Sequence, residues 1–244
     1  YPAGTYFGMK KSMEPLHIMY SYANNEVDIT NSLQQKFAGL TAEAIIYNLD
    51  GSQKYSKKIA TSVEPDSIAE CFALPAISGL TETYFLRLQL TDAGGAVKSI
   101  NWYWLSLKSD VLNWKKSKWY MTPETGYADY SALQDLPRTT LKMAYTSEKM
   151  ADSSFHAVTL TNTGGTVAFQ VHLRALKGKS GDDILPVIFS DNYLELAPGE
   201  SRTIRCTYAN KDAGEATPFF LLSAWNLDGT ASKTIGNAGF DAQQ

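Results

Sequence analysis

Cysteine is scarce in this chain of 244 residues: only Cys71 and Cys206 occur. They lie far apart, inside strand-like runs at 68–74 and 203–208, and each reads as a small buried thiol rather than half of a disulfide. So low a count leaves the compartment open, because large exported proteins need no disulfide staples. Long apolar runs are missing as well. None approaches the ~20 residues of a membrane-spanning helix, so no membrane partner is expected. Excess positive charge is absent: 22 Lys and Arg stand against 25 Asp and Glu, a formal net charge of −3, scattered along the chain. That excludes the electrostatic footprint of a nucleic-acid partner. The densest basic cluster, Lys115-Lys116-Ser117-Lys118, is short, sits among aromatic rings and reads as solvated linker.

Chemical motifs are equally thin. The sequence has no Gly-x-Ser-x-Gly elbow, phosphate loop, Cys-x-x-Cys or helix-hand calcium loop, so no cofactor and no metal site is expected. His156 and His172 flank the stretch Thr163-Gly164-Gly165-Thr166. Read as a two-residue hairpin turn, Gly-Gly would set Leu160 opposite Phe169, Val158 opposite Val171 and His156 opposite Leu173, leaving His172 on the other face. This register rejects a histidine pair as metal ligands. His17, between Leu16 and Ile18, reads as a surface or interface residue. Asp182-Asp183 and Ser190-Asp191-Asn192 could hold a cation, but such residues more often shape turns. The opening residues carry neither an initiator Met nor a charged-then-apolar export signal, and read as text cut from something larger.

What the chain does have is strand material. Hydrophobic residues make up 44% and aromatics 12%, with fourteen Tyr and five Trp, residues that favour strands. Helical periodicity is nearly absent. Apolar alternation instead recurs between turn residues at 16–22, 26–31, 41–49, 53–62, 67–74, 82–91 and 96–107. It returns at 139–147, 154–162, 166–176, 184–189, 193–196, 201–209 and 217–226. The expected fold is all-β: two tandem immunoglobulin-like β-sandwiches, 15–108 and 138–244, joined by an aromatic-rich linker, 109–137. Asp50-Gly51 and Asp92 to Gly95 should turn hairpins, and Ala197-Pro198-Gly199-Glu200 a type II turn. A short helix over 129–136, capped by Asp129 and stopped by Pro137, is the one helical candidate. An edge strand is expected near 231–236, with fraying beyond.

One segment carries a resemblance. Gly4-Thr5-Tyr6-Phe7-Gly8-Met9-Lys10-Lys11 with Glu14-Pro15-Leu16-His17-Ile18 is similar to the stretch leaving the catalytic barrel in glycoside hydrolase family 2. The branch is that of β-mannosidases, exo-β-D-glucosaminidases and endo-β-mannosidases. Leu185 to Tyr193 (LPVIFSDNY) with Leu196-Ala197-Pro198-Gly199-Glu200-Ser201 resembles the last sandwich of the same enzymes. The resemblance implies that 1–14 exits a catalytic barrel, that the barrel of the same parent chain is the partner, and that the parent is an exported retaining β-glycosidase, periplasmic or extracellular. Such enzymes use two glutamates, the acid/base one following an Asn. The sole Asn-Glu, Asn25-Glu26, falls in a turn between strands, so no catalytic residue is expected here.

Sugar binding is the remaining chemistry, since flat rings stack on pyranose faces. Candidates for contact with a β-linked oligosaccharide or with the barrel are Trp114, Trp119, Tyr120, Asp191, Asn192, Tyr193 and Trp225. The linker rings, with Tyr127 and Tyr130, are expected to pin that segment between the domains or against a missing neighbour, which the resemblance makes the barrel. Trp102 and Trp104 share one strand face, the spacing of a sugar platform and equally of a buried stripe. A stand-alone carbohydrate-binding module and a surface adhesion protein are the alternatives.

Overall fold

The alternating stretches fold as antiparallel strands in a computed structural model, which describes residues 2–179, 181–228 and 231–234. The chain divides into two bodies. One gathers Lys10–Leu136; the other runs from Pro137 onward and takes in the opening residues up to Met9. The strand-poor opening contains a helix, α1 (Gly4–Ser12), whose one buried side chain, Phe7, joins the core of the second body. Sequence reading misses this helix because a single apolar anchor makes no 3.6-residue stripe.

The first body is built from β1 (Leu16–Ser21), β2 (Glu26–Asn31), β3 (Phe37–Asn48), β4 (Gln53–Val63), β5 (Ser67–Ala73), β6 (Thr83–Thr91) and β7 (Val97–Ser106). One sheet has the order β1-β2-β5 and the other β4-β3-β6-β7. Ile18, Val27 and Ile29 of the first sheet share a buried cluster with Ala42, Ala44, Ile46, Leu86, Leu88 and Leu90 of the second. Each fully buried aliphatic side chain contributes roughly 1.5–3 kcal/mol. Gly51 (φ 85°) and Gly95 (φ 81°) supply the positive φ that the β3–β4 and β6–β7 turns need.

β1 lies at the edge of its sheet, and side chains of β7 satisfy its backbone. The Ile18 N–H donates to Ser99 Oγ (3.4 Å) and the Tyr20 N–H to Tyr103 Oη (3.0 Å), while Asn101 Nδ2 donates to the Ile18 carbonyl (3.4 Å). His17, expected at the surface or at an interface, is buried within this seam. Its Nδ1 lies 3.1 Å from Glu14 Oε2, which also accepts from Ser99 Oγ (2.6 Å), and its Nε2 faces Asn101 Nδ2 (3.2 Å).

After β7 the chain forms a small arm, β8 (Val111–Leu112) paired with β9 (Glu124–Gly126), with a 3-10 turn at Trp114–Lys116. The short helix expected over 129–136 is a 3-10 helix, Ser131–Asp135. Asp129 Oδ1 accepts from the Ser131 N–H and hydroxyl just before it (3.1 and 2.6 Å).

The second body contains β10 (Leu141–Lys149), β11 (Ser153–Asn162), β12 (Ala168–Lys177), β13 (Val187–Phe189), β14 (Leu194–Leu196), β15 (Ser201–Ala209), the helical turn α2 (Asn210–Ala213), β16 (Pro218–Ser223) and β17 (Ala231–Thr234). Its sheets run β10-β11-β15-β13 and β14-β12-β16-β17. The hairpin expected at Gly164-Gly165 does not form. β11 pairs with β10 and β15, β12 with β14 and β16, so this connection crosses from one sheet to the other. Neither glycine has the positive φ that a two-residue hairpin turn requires. Val158, Leu160, Val171 and Leu173 nevertheless face one core as expected, drawn from both sheets, whereas Phe169, buried too, falls in the register shift between Ala168 and Val171 and lies outside that cluster. The turn at 197–200 is as expected, with Gly199 at φ 77° and the Glu200 N–H on the Ala197 carbonyl (3.0 Å). β17 is an edge strand; the rest of the expected tail, 235–244, lies outside the described residues.

Candidate functional site

In the second body, the loop before β14 brings Asp191, Asn192 and Tyr193 together, and each is engaged by its own sandwich. Asn192 is 1% exposed. Its Oδ1 accepts from the Leu173 N–H (2.9 Å) and its Nδ2 donates to the Leu173 carbonyl (2.8 Å), so a side chain continues the β12–β14 ladder where backbone pairing stops. Tyr193 sits at φ 51°, with its ring stacked on His172 (4.2 Å, 18°) and tilted against Phe7 (6.1 Å, 37°). Asp191 Oδ1 accepts from the Asn192 N–H (2.9 Å).

Behind the loop lies a group that sequence reading passed over. Glu195, 6% exposed, is flanked by Leu194 and Leu196, both core residues. Its Oε1 accepts from Gln170 Nε2 (3.1 Å), and Gln170 stands at φ 52° on the bulge of β12. Burial pushes its carboxyl up to about 8; Asp191 adds to the rise and Arg202 opposes it. Arg202 is committed elsewhere, with Nη2 2.8 Å from Glu200 Oε1 and Nη1 3.8 Å from Asp191 Oδ2. The only available signal was a carboxylate between two leucines, which strand alternation reads as facing solvent.

Trp225 is 57% exposed; its N–H donates to the Phe169 carbonyl (2.9 Å), and the two rings are 6.3 Å apart. The remaining candidates lie in the first body, at the tip of the β8–β9 arm. Trp114 is 70% exposed, Trp119 96% and Tyr120 84%; Trp119 and Tyr120 meet edge to face at 5.5 Å. Trp114, Trp119 and Tyr120 are thus exposed on this chain, while the arm itself closes on its own hydrogen bonds. Trp102 is buried, stacked on Tyr47 (6.1 Å, 22°) and approached by the Arg87 guanidinium (6.0 Å), while Trp104 is partly exposed. Asn25, at φ 58°, ends the β1–β2 turn, and Glu26 opens β2 opposite Ser21. His156 lies in the core between Ser147 Oγ (2.7 Å) and Tyr208 Oη (2.9 Å).

This geometry offers exposed rings and a sealed carboxyl. Residues 119–227 match the exo-β-D-glucosaminidase Ig-fold domain, and residues 23–107 the mannosidase Ig/CBM-like domain. The chain belongs to the tandem immunoglobulin-like domains of family 2 glycoside hydrolases. These glycosidase domains are 40% identical to exo-β-D-glucosaminidases of Amycolatopsis orientalis and Streptomyces avermitilis over 95% of the chain, which spans 23% and 26% of those proteins. A mannosylglycoprotein endo-β-mannosidase of Lilium longiflorum is 23% identical over 91% of the chain. Among solved structures, the exo-chitosanase of Amycolatopsis orientalis superposes with a TM-score of 0.89 at 39% identity, over 95% of this chain and 28% of that one. A β-D-mannosidase of Dictyoglomus thermophilum shares the fold, with a TM-score of 0.56 at 16% identity and 92% of this chain covered. The chain corresponds to a non-catalytic region of such enzymes and spans about a quarter of the length of the relatives it matches.

Proposed function

We propose that these domains serve a parent retaining β-glycosidase of the exo-β-D-glucosaminidase type, packing on its catalytic barrel. The observation that carries this reading is the 95% coverage at 40% identity with two glucosaminidases, spanning both sandwiches, against 23% with the endo-β-mannosidase. A β-mannosidase parent is the second reading, supported by the match of residues 23–107 to the mannosidase domain. Burial of Asn192 and Glu195 and the engagement of Tyr193 within its own sandwich favour a scaffold role for the 190–196 loop over sugar contact. A polymeric substrate favours an exported parent, periplasmic or extracellular. The test is direct: the enzyme encoded by the full reading frame should hydrolyse aryl β-D-glucosaminide faster than aryl β-mannoside, and the 244-residue chain alone should hydrolyse neither. Turnover by the chain itself would refute the scaffold role; preference for the mannoside would move the parent to the second reading.

A further inference from the structure

The β8–β9 arm presents an unusual combination. Trp114, Trp119, Tyr120 and Met121 are exposed on it, as are Val111 and Leu112 at its base. Single exposed apolar residues are ordinary on protein surfaces, but contiguous ones mark interaction sites. The arm is also pre-organised. The Asn113 N–H donates to the Pro123 carbonyl (2.8 Å), Lys118 and Met121 exchange backbone hydrogen bonds (2.8 and 3.1 Å), and the Ser117 and Thr122 hydroxyls meet at 2.8 Å. A backbone held this way loses little further freedom on binding.

Charge selects the occupant. Lys115, Lys116 and Lys118 are exposed between the rings, against Glu124 as the one acidic residue of 111–126. A glucosaminide polymer carries ammonium groups, which three neighbouring lysines repel. A protein face with carboxylates around an apolar patch satisfies both the rings and the lysines. Relatives of this chain extend over roughly four times its length, since it spans 23–28% of them, so such a face is available within one polypeptide.

We infer that the arm is a docking surface for an acidic, apolar face of the parent enzyme's catalytic part, and not a platform for its amino-sugar substrate. This rests on the reading that such a parent exists. Two samples, the 244-residue chain and the full-length parent, are compared by hydroxyl-radical footprinting of Trp114, Trp119 and Tyr120, with and without glucosamine oligomers. Docking gives about tenfold protection in the parent before any sugar is added. Equal reactivity in the two samples overturns the inference, as does protection that appears only with the oligomer. Turnover of aryl β-D-glucosaminide is read on the same parent sample. Turnover with a reactive arm sinks docking alone; failure on both aryl glycosides sinks the reading beneath it. As a second measurement, Lys115→Glu, Lys116→Glu and Lys118→Glu combined should lower the parent's Tm by about 4 °C and move that of the 244-residue chain by less than about 1 °C. Equal shifts in both samples overturn the inference.

Discussion

The ring of Tyr193, just ahead of β14, lies 6.1 Å from that of Phe7 on α1, so the opening helix is fastened to the second sandwich by an aromatic pair. Phe7 belongs to the core of that body, and Tyr193 packs against it from partial burial. Phe7→Ala should cost about 3 kcal/mol and Tyr193→Ala about 2 kcal/mol in urea unfolding of the chain. The double variant should fall short of the sum by about 1 kcal/mol, the coupling of an aromatic pair. Strict additivity would show that the two rings do not act together.

Gly164 and Gly165 are neighbours with opposite demands. A Cβ on Gly164 would collide with Thr139 Oγ1 and fall 2.9 Å from the Thr140 backbone nitrogen, whereas one on Gly165 meets nothing within 4 Å. Gly164→Ala should destabilise by about 2 kcal/mol, and Gly165→Ala should be neutral or slightly stabilising. Thermal melts of the two variants test the contrast, which disappears if the connection is a simple hairpin turn.

Glu195 makes stability depend on pH. Burial raises its carboxyl from about 4.5 to about 8, so the folded state holds a proton that the unfolded state has released between those values. Its contribution is full below pH 4.5 and is lost as pH rises toward 8. His156, which burial lowers to about 4, acts in the opposite sense only below its ordinary value of 6.5, leaving the range from 6.5 to 8 to Glu195 in this pair. Unfolding free energy should fall across that range by roughly 2 kcal/mol, and Glu195→Gln should flatten the slope. A wild-type slope surviving in the variant would contradict this assignment.

Asp28, in the middle strand of its sheet, is 7% exposed, with Oδ1 lacking a hydrogen-bond partner and Glu70 directly across the β2–β5 ladder. Burial raises its carboxyl, with Glu26 and Glu70 adding to the shift. Asp28→Asn should stabilise the chain by about 1 kcal/mol at pH 7, since it removes like-charge repulsion and the desolvation of a charge. The gain should vanish as pH falls below the ordinary aspartate value of 3.8, where both states are protonated. Denaturant midpoints at pH 7 and pH 3 test it, and an equal gain at both would point away from charge.

Sandwich architecture was legible because period-2 alternation is a local property: Leu86, Leu88 and Leu90 announce one buried face of β6 with no knowledge of their partners. The turns at Gly51, Gly95 and Gly199 were legible for the same reason, since positive φ and a preceding Asp or Pro are written within four residues. The candidate residues were legible only as residue types. Asn192 reads as a loop residue, yet its amide bridges to Leu173 across the sheet, a contact no local pattern encodes.

Local chemistry thus set which side chains face inward and where the chain turns, because alternation and φ are properties of neighbouring residues. Which strands pair across Gly164-Gly165, that Phe7 closes the second sandwich, and that Glu195 loses its water were decided by packing between segments far apart in the chain. Desolvation and cross-sheet contact arise only when distant strands meet.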